Sequence, residues 1–134
     1  MIKLYNRFNQ LYYEAHYDEA NKWVTTRYEG FCRPEDIIEG VKSTLKLIEE
    51  TPATKLLSDN RGLKGTWSEA NDWLEENWYK LAPQYGLKTH ATVLSADLFY
   101  QISQESHEKA NVNTGITMKS FEGLEEAKKW LQPY

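Results

Sequence analysis

Apolar and polar positions along this chain switch between a period of about two and a period of about 3.6, and the switches divide it into strands and helices. Tyr12-Tyr13-Glu14-Ala15-His16-Tyr17 is rich in aromatic residues, and Trp23-Val24-Thr25-Thr26-Arg27-Tyr28 mixes β-branched with aromatic ones, so both read as strands. The polar piece Asp18-Glu19-Ala20-Asn21 between them predicts a turn, and hence a hairpin. Pro34 then stands where a first helical residue is favoured, with Glu35 and Asp36 following to complement the helix dipole. Ile37, Ile38, Val41, Leu45 and Ile48 recur at helical spacing, and Pro52 ends the pattern because the residue before a proline is driven out of the helical region.

The pattern repeats three more times. A strand is predicted at 55–59, followed by a polar glycine-containing loop at 60–65. A helix then begins at a Thr66–Glu69 capping box and carries Trp67, Ala70, Leu74, Trp78 and Leu81 on one face, ending around Pro83 to Gly86. A strand at 88–94 precedes a helix capped by Ser95, with Leu98, Phe99, Ile102 and Ser106 turned inward. A short strand at 115–118 precedes a last helix opening at Ser120, with Leu124, Ala127 and Leu131 turned inward. From the second strand onward the order is β-α-β-α-β-α-β-α, which implies parallel strands joined by right-handed crossovers. The expected architecture is a single α/β domain over residues 1–134: a mixed, mainly parallel five-stranded sheet, its first strand an antiparallel edge, with four helices from successive βα units.

Composition narrows the function classes. The chain has 134 residues, 40% apolar and 27% charged, which suits one globular domain and no transmembrane span. Its first residues, Met1-Ile2-Lys3-Leu4-Tyr5-Asn6-Arg7-Phe8, lack the apolar core of a signal peptide, so a cytoplasmic location is expected. The net charge of −4 and the absence of a basic stripe argue against nucleic acid as a partner. Cys32 is the single cysteine; it allows no internal disulfide and reads as a structural thiol. His16, His90 and His107 have no metal-site spacing, and no cofactor or metal is expected. His90, in a central strand, reads as a core histidine bonded to a neighbour. Asp59 lies at the end of its strand and His90 near the start of the next, so the two are offset and make a poor acid–base pair.

Three segments carry a family resemblance: Leu56-Leu57-Ser58-Asp59-Asn60-Arg61-Gly62-Leu63, Gly86-Leu87-Lys88-Thr89-His90-Ala91-Thr92-Val93-Leu94, and the closing stretch from Thr117 through Phe121, Leu124 and Ala127 to Trp130-Leu131. Together they resemble the SpoIIAA-like superfamily of STAS (anti-sigma-factor antagonist) and STAS/SEC14-type domains. The resemblance implies no reaction. Antagonists of that family carry an Asp-Ser-Ser-Gly motif whose serine is phosphorylated, and an ungapped comparison lays it over Trp67-Ser68-Glu69-Ala70. Ser68 is retained, Trp67 replaces the aspartate and Glu69 stands where the phosphorylated serine would be. Helix capping explains these residues, and a charge-mimicking Glu69 or a modified Ser68 stays open.

The loop 60–65, with Arg61, Lys64 and two glycines before a helix, reads either as a surface turn or as an anion site. Trp67, Trp73 and Trp78 cannot share one narrow helix face, and Trp73 is expected to project off the core side. It reads as one side of a wide helix packed on two sides, or as a partly exposed apolar patch that serves a protein partner or homodimer or lines a pocket for a small apolar or lipid-like ligand. The candidate binding residues are therefore Asp59, Asn60, Arg61, Trp67, Ser68, Glu69, Trp73 and Trp78. The expected role is a non-enzymatic STAS-like binding or regulatory module acting through protein contact. A small-ligand carrier is the alternative, and an enzyme of unknown reaction comes behind it.

Overall fold

The computed structural model describes residues 1–65, 67–97, 100–101, 104–105 and 115–132. They form one mixed sheet of six strands whose spatial order follows the chain. Strands β1 (Ile2–Tyr5), β2 (Leu11–Asp18) and β3 (Trp23–Phe31) pair antiparallel, whereas β3, β4 (Lys55–Lys64), β5 (Thr89–Val93) and β6 (Thr117–Phe121) pair parallel. The sheet thus has three parallel and two antiparallel pairings. Four α-helices have described ranges: α1 (Pro34–Glu50), α2 (Asn71–Glu76), α3 (Trp78–Gln84) and α4 (Leu124–Leu131). Tyr100, Gln101, Gln104 and Glu105, between β5 and β6, are helical as well.

The strand count corrects the expected five. Ile2 and Leu4 of β1 alternate with exposed Lys3 and Tyr5, and pair with Ala15 and Tyr13. Four residues with one charged side chain give a weak strand signal of their own; pairing with β2 is what makes them a strand.

The helix α1 forms where its pattern places it. Pro34 opens it, and Asp36 Oδ2 accepts from the Arg33 backbone N–H at 2.9 Å while its carboxylate also takes the Arg33 guanidinium. The helix ends at Glu50, and Thr51 returns its hydroxyl to the Leu47 carbonyl just before Pro52. Its buried Ile37, Leu45 and Ile48 each contribute about 1.5–3 kcal/mol of apolar burial.

Two faces of the sheet are covered differently. On the first, Val24, Tyr28, Leu56 and Leu63 pack with α1, α2 and α3. On the second, Trp23, Leu57, Ala91 and Val93 pack with Ala127 and Leu131 of α4. Lys55, buried at the start of β4, donates its ammonium to the Leu131 carbonyl and ties the end of α4 to the sheet.

Three expectations change here. The segment 60–65 is not a loop: β4 continues to Lys64, because β3 itself runs on to Phe31 and supplies a partner. The register passes from Arg27↔Asp59 to Glu29↔Gly62, so β4 carries one extra residue opposite Tyr28. The long helix expected from residue 67 is broken into a 3-10 turn (Ser68–Ala70), α2 and α3, the last two separated at Asn77. So α2 and α3 share one crossover rather than marking separate βα units. The capping box proposed for this helix rests on Thr66, outside the described residues. Ser120 does not open the last helix; it lies in β6, and Gly123 precedes α4.

Candidate functional site

Between the first sheet face and the helices lies a cavity of about 70 Å³, walled by residues that include Tyr28, Ile37, Val41, Leu56, Trp67, Leu74 and Trp78. Most of its polar lining comes from the sheet floor. The parallel register aligns Thr26, Ser58 and Thr92 across three neighbouring strands, and alternation turns Asn60 to the same side as Ser58. Buried parallel strands usually present runs of aliphatic side chains, so a row of hydroxyls there is a departure. Thr26 donates to Ser58 Oγ at 3.2 Å, and Ser58 Oγ lies 2.9 Å from His90 Nε2, which also has Thr92 Oγ1 at 3.4 Å. The Trp78 ring stands edge-on to His90 at 5.9 Å. His90 is therefore a buried core histidine bonded to its neighbours, as its strand position predicts.

A second polar chain enters from the helical segment after β5. Asp97 Oδ1 accepts from the backbone N–H of Tyr100 at 3.0 Å and of Gly65 at 3.3 Å, and Ser95 Oγ accepts from the Asp97 N–H. Asp97, rather than Ser95, thus caps the start of this segment and ties it to the end of β4. The inward set expected on this helix (Leu98, Phe99, Ile102 and Ser106) lies outside the described residues. Tyr100, packed beside Trp67, accepts from Asn60 Nδ2 at 2.9 Å and donates to Gln104 Oε1 at 3.3 Å. Asn60 Oδ1 and Gln104 Nε2 are buried and have no hydrogen-bond partner among the described residues. Among the described residues lining the cavity there is no aspartate, glutamate, lysine or arginine.

The eight candidate residues divide into three groups. Asn60, Trp67 and Trp78 line the cavity. Asp59 and Arg61 alternate to the second face of the sheet, where Arg61 grips the Asp59 carboxylate through two hydrogen bonds of 2.9 and 2.8 Å. Burial alone would raise the Asp59 pKa, but the Arg61 guanidinium and N–H, with Arg27 behind them, hold it below the usual carboxylate range. Arg61 is thereby engaged with Asp59, Lys64 lies 6.0 Å from the Phe31 ring, and both stand on a strand rather than in the expected loop. Asp59 pairs with Val93 and His90 with Leu56, so an Asp59–His90 pair is ruled out by register and by face together.

Ser68, Glu69 and Trp73 form the third group, on the outer side of the crossover. Glu69 is exposed, Ser68 half-buried. Trp73 is half-buried against the core cluster, with Lys42 Nζ 6.0 Å from its ring. Among the described residues the large exposed apolar side chains lie elsewhere: Met1, Tyr5, Phe8 and Phe31, the last two beside a groove of about 530 Å³ at the end of β3.

The sequence reading missed Thr26, Ser58, Thr92, Tyr100 and Gln104 as site residues. The signal for the first three is a hydroxyl at the same inward position of successive core strands, visible only once the register is known. Ser58 places a hydroxyl 2.9 Å from an imidazole nitrogen of His90 inside the cavity. Comparison with protein-family models returns no match, and comparison with curated proteins returns none either.

Proposed function

We propose that this chain is a non-enzymatic binding module of STAS-like type that holds a small uncharged ligand in the cavity beneath Trp67 and Trp78. One observation carries the reading: an apolar-walled chamber with convergent polar groups and no aspartate, glutamate, lysine or arginine among its described lining residues. Such a combination suits ligand recognition, with apolar walls giving affinity and a few polar atoms giving orientation. The volume favours a small ligand over a lipid chain. An engineered cavity that binds benzene measures about 150 Å³, twice the space found here. The SpoIIAA-like assignment remains part of this proposal; the four parallel strands β3 to β6 are compatible with it.

The test is a fragment screen by protein-observed NMR, using uncharged and charged compounds of similar size. Uncharged fragments should shift the indole signals of Trp67 and Trp78, and charged ones should not. Hits that cluster away from both tryptophans would sink the proposal. Protein contact, the other binding role, draws its support from Phe8 and Phe31, which are 69% and 75% exposed, rather than from Trp73. A concentration-dependent shift of Phe8 and Phe31 in the same spectra would favour contact between copies of the chain.

A further inference from the structure

Tyr100 is the hinge of the chamber's hydrogen bonding. It takes one hydrogen from Asn60 and gives its own to Gln104. Left without a partner among the described residues are one acceptor atom, Asn60 Oδ1, and one donor atom, Gln104 Nε2, both on side chains more than nine-tenths buried. The balance survives exchange of the oxygen and nitrogen positions. If both amides are turned over, Tyr100 receives from Gln104 and gives to Asn60, and again one donor and one acceptor are left. Leaving such groups without partners in a buried site is costly, and the cost is relieved by a molecule that supplies the complementary pair.

The geometry points to a small neutral carboxamide as the ligand class of this chamber. A carboxamide offers one carbonyl acceptor for the donor and an N–H for the acceptor, in a planar unit of few atoms. A carboxylate has no hydrogen to offer Asn60 Oδ1, and an ammonium group has no acceptor for Gln104 Nε2. Either would also bring a charge into a lining with no aspartate, glutamate, lysine or arginine among its described residues to pair with it. A simple ketone satisfies only one of the two atoms. This inference rests on the chamber being a ligand site and adds the chemistry of what it takes.

The experiment titrates the unaltered protein with acetamide and with acetone, in which a methyl replaces the amide nitrogen at nearly the same size. Chemical shifts are followed for the side-chain amides of Asn60 and Gln104 and the indoles of Trp67 and Trp78. Acetamide should saturate those four signals at roughly 1–100 mM, the range open to so small a ligand, and acetone should bind at least about tenfold more weakly, as expected when a buried polar partner is lost. Gln104→Met, which removes the donor while keeping the length, should abolish the preference; its thermal transition reports whether the fold is kept. Equal binding of acetamide and acetone at these residues would overturn the carboxamide inference and leave the chamber a ligand site. Shifts confined to other parts of the protein, or none, would overturn both.

Discussion

Gly40, in the middle of α1, offers the sharpest test of how the chamber is built. A glycine inside a helix is about 1 kcal/mol worse than alanine, so Gly40→Ala ought to stabilise an isolated helix. Here the new Cβ would lie 2.4 Å from Tyr28 Oη and 2.8 Å from both Cε1 and Cζ. Ordinary carbon contacts are about 3.5–4.0 Å, so the overlap is close to 1 Å on three atoms of a rigid ring. Tyr28 is buried, and its ring centroid is 5.0 Å from that of Tyr13, so on that side the ring cannot yield. Relief requires the ring to swing into the chamber it lines or α1 to lift from the sheet, which strains the short Tyr13–Thr44 bond of 2.6 Å one turn further along. Overpacking of this kind costs about 1–3 kcal/mol. Against the gain of about 1 kcal/mol in helix propensity, two-state urea or thermal unfolding should show net destabilisation of up to about 2 kcal/mol, or a Tm lower by up to roughly 8 °C. In a Tyr28→Val background the contact is gone and the same change should be neutral or favourable, a coupling that a double-mutant cycle reads directly. A higher Tm for Gly40→Ala in the unaltered background would refute the close approach of α1 and β3.

Three further outcomes follow from the charges and caps. Asp36 and Asp59 have pKa values depressed in the folded state; for each, burial opposes ionisation, and bonds from Arg33 or Arg61 outweigh it. Their contribution to stability is therefore present above the unfolded carboxyl value of about 3.9 and is lost as pH falls through the lower folded value. Arg61→Gln should raise the Asp59 pKa in an NMR titration, move the acid-unfolding limb to higher pH and cost about 1 kcal/mol, a modest figure because Arg61 is half exposed; an unchanged Asp59 titration would contradict this. Cys32 is buried and its thiol is pushed up to about 12, by burial first and by Asp36 second. It should react slowly with a thiol reagent at pH 8 in the native protein and fully in denaturant, and immediate native labelling would show the burial to be wrong. Asp97→Ala should cost about 1 kcal/mol of stability and displace the Tyr100 ring signals, whereas loss of stability with Tyr100 unmoved would remove Asp97 as its anchor.

Local patterning made much of the fold legible. Pro34 and Pro52 bracket α1 because proline suits a first helical turn and excludes helix from the residue before it. The aromatic and β-branched runs on either side of Asp18 became the β2–β3 hairpin. His90 could be read as a core residue from its place in an apolar strand. The site was less legible, since alternation along β4 separates neighbours. Asp59 lies on the α4 side of the sheet with Arg61 bonded to it, while Ser58 and Asn60 face the chamber, and a contiguous string of candidate residues hides that division. The extended strand is the reason: read as a loop, residues 60–64 carry no alternation at all.

Short-range preference and periodicity thus settled which stretches are strands or helices wherever the signal was strong, because backbone sterics and apolar burial act within a few residues. Tertiary pairing settled the rest. Partnership with β2 made a strand of Ile2–Tyr5, and partnership with the far end of β3 drew Asn60 and Gly62 into β4 against their low strand propensity. The chamber exists only at that level. Thr26, Ser58, Thr92, Tyr100 and Gln104 come from four separate parts of the chain, and only sheet register and helix docking bring their polar atoms to one buried space.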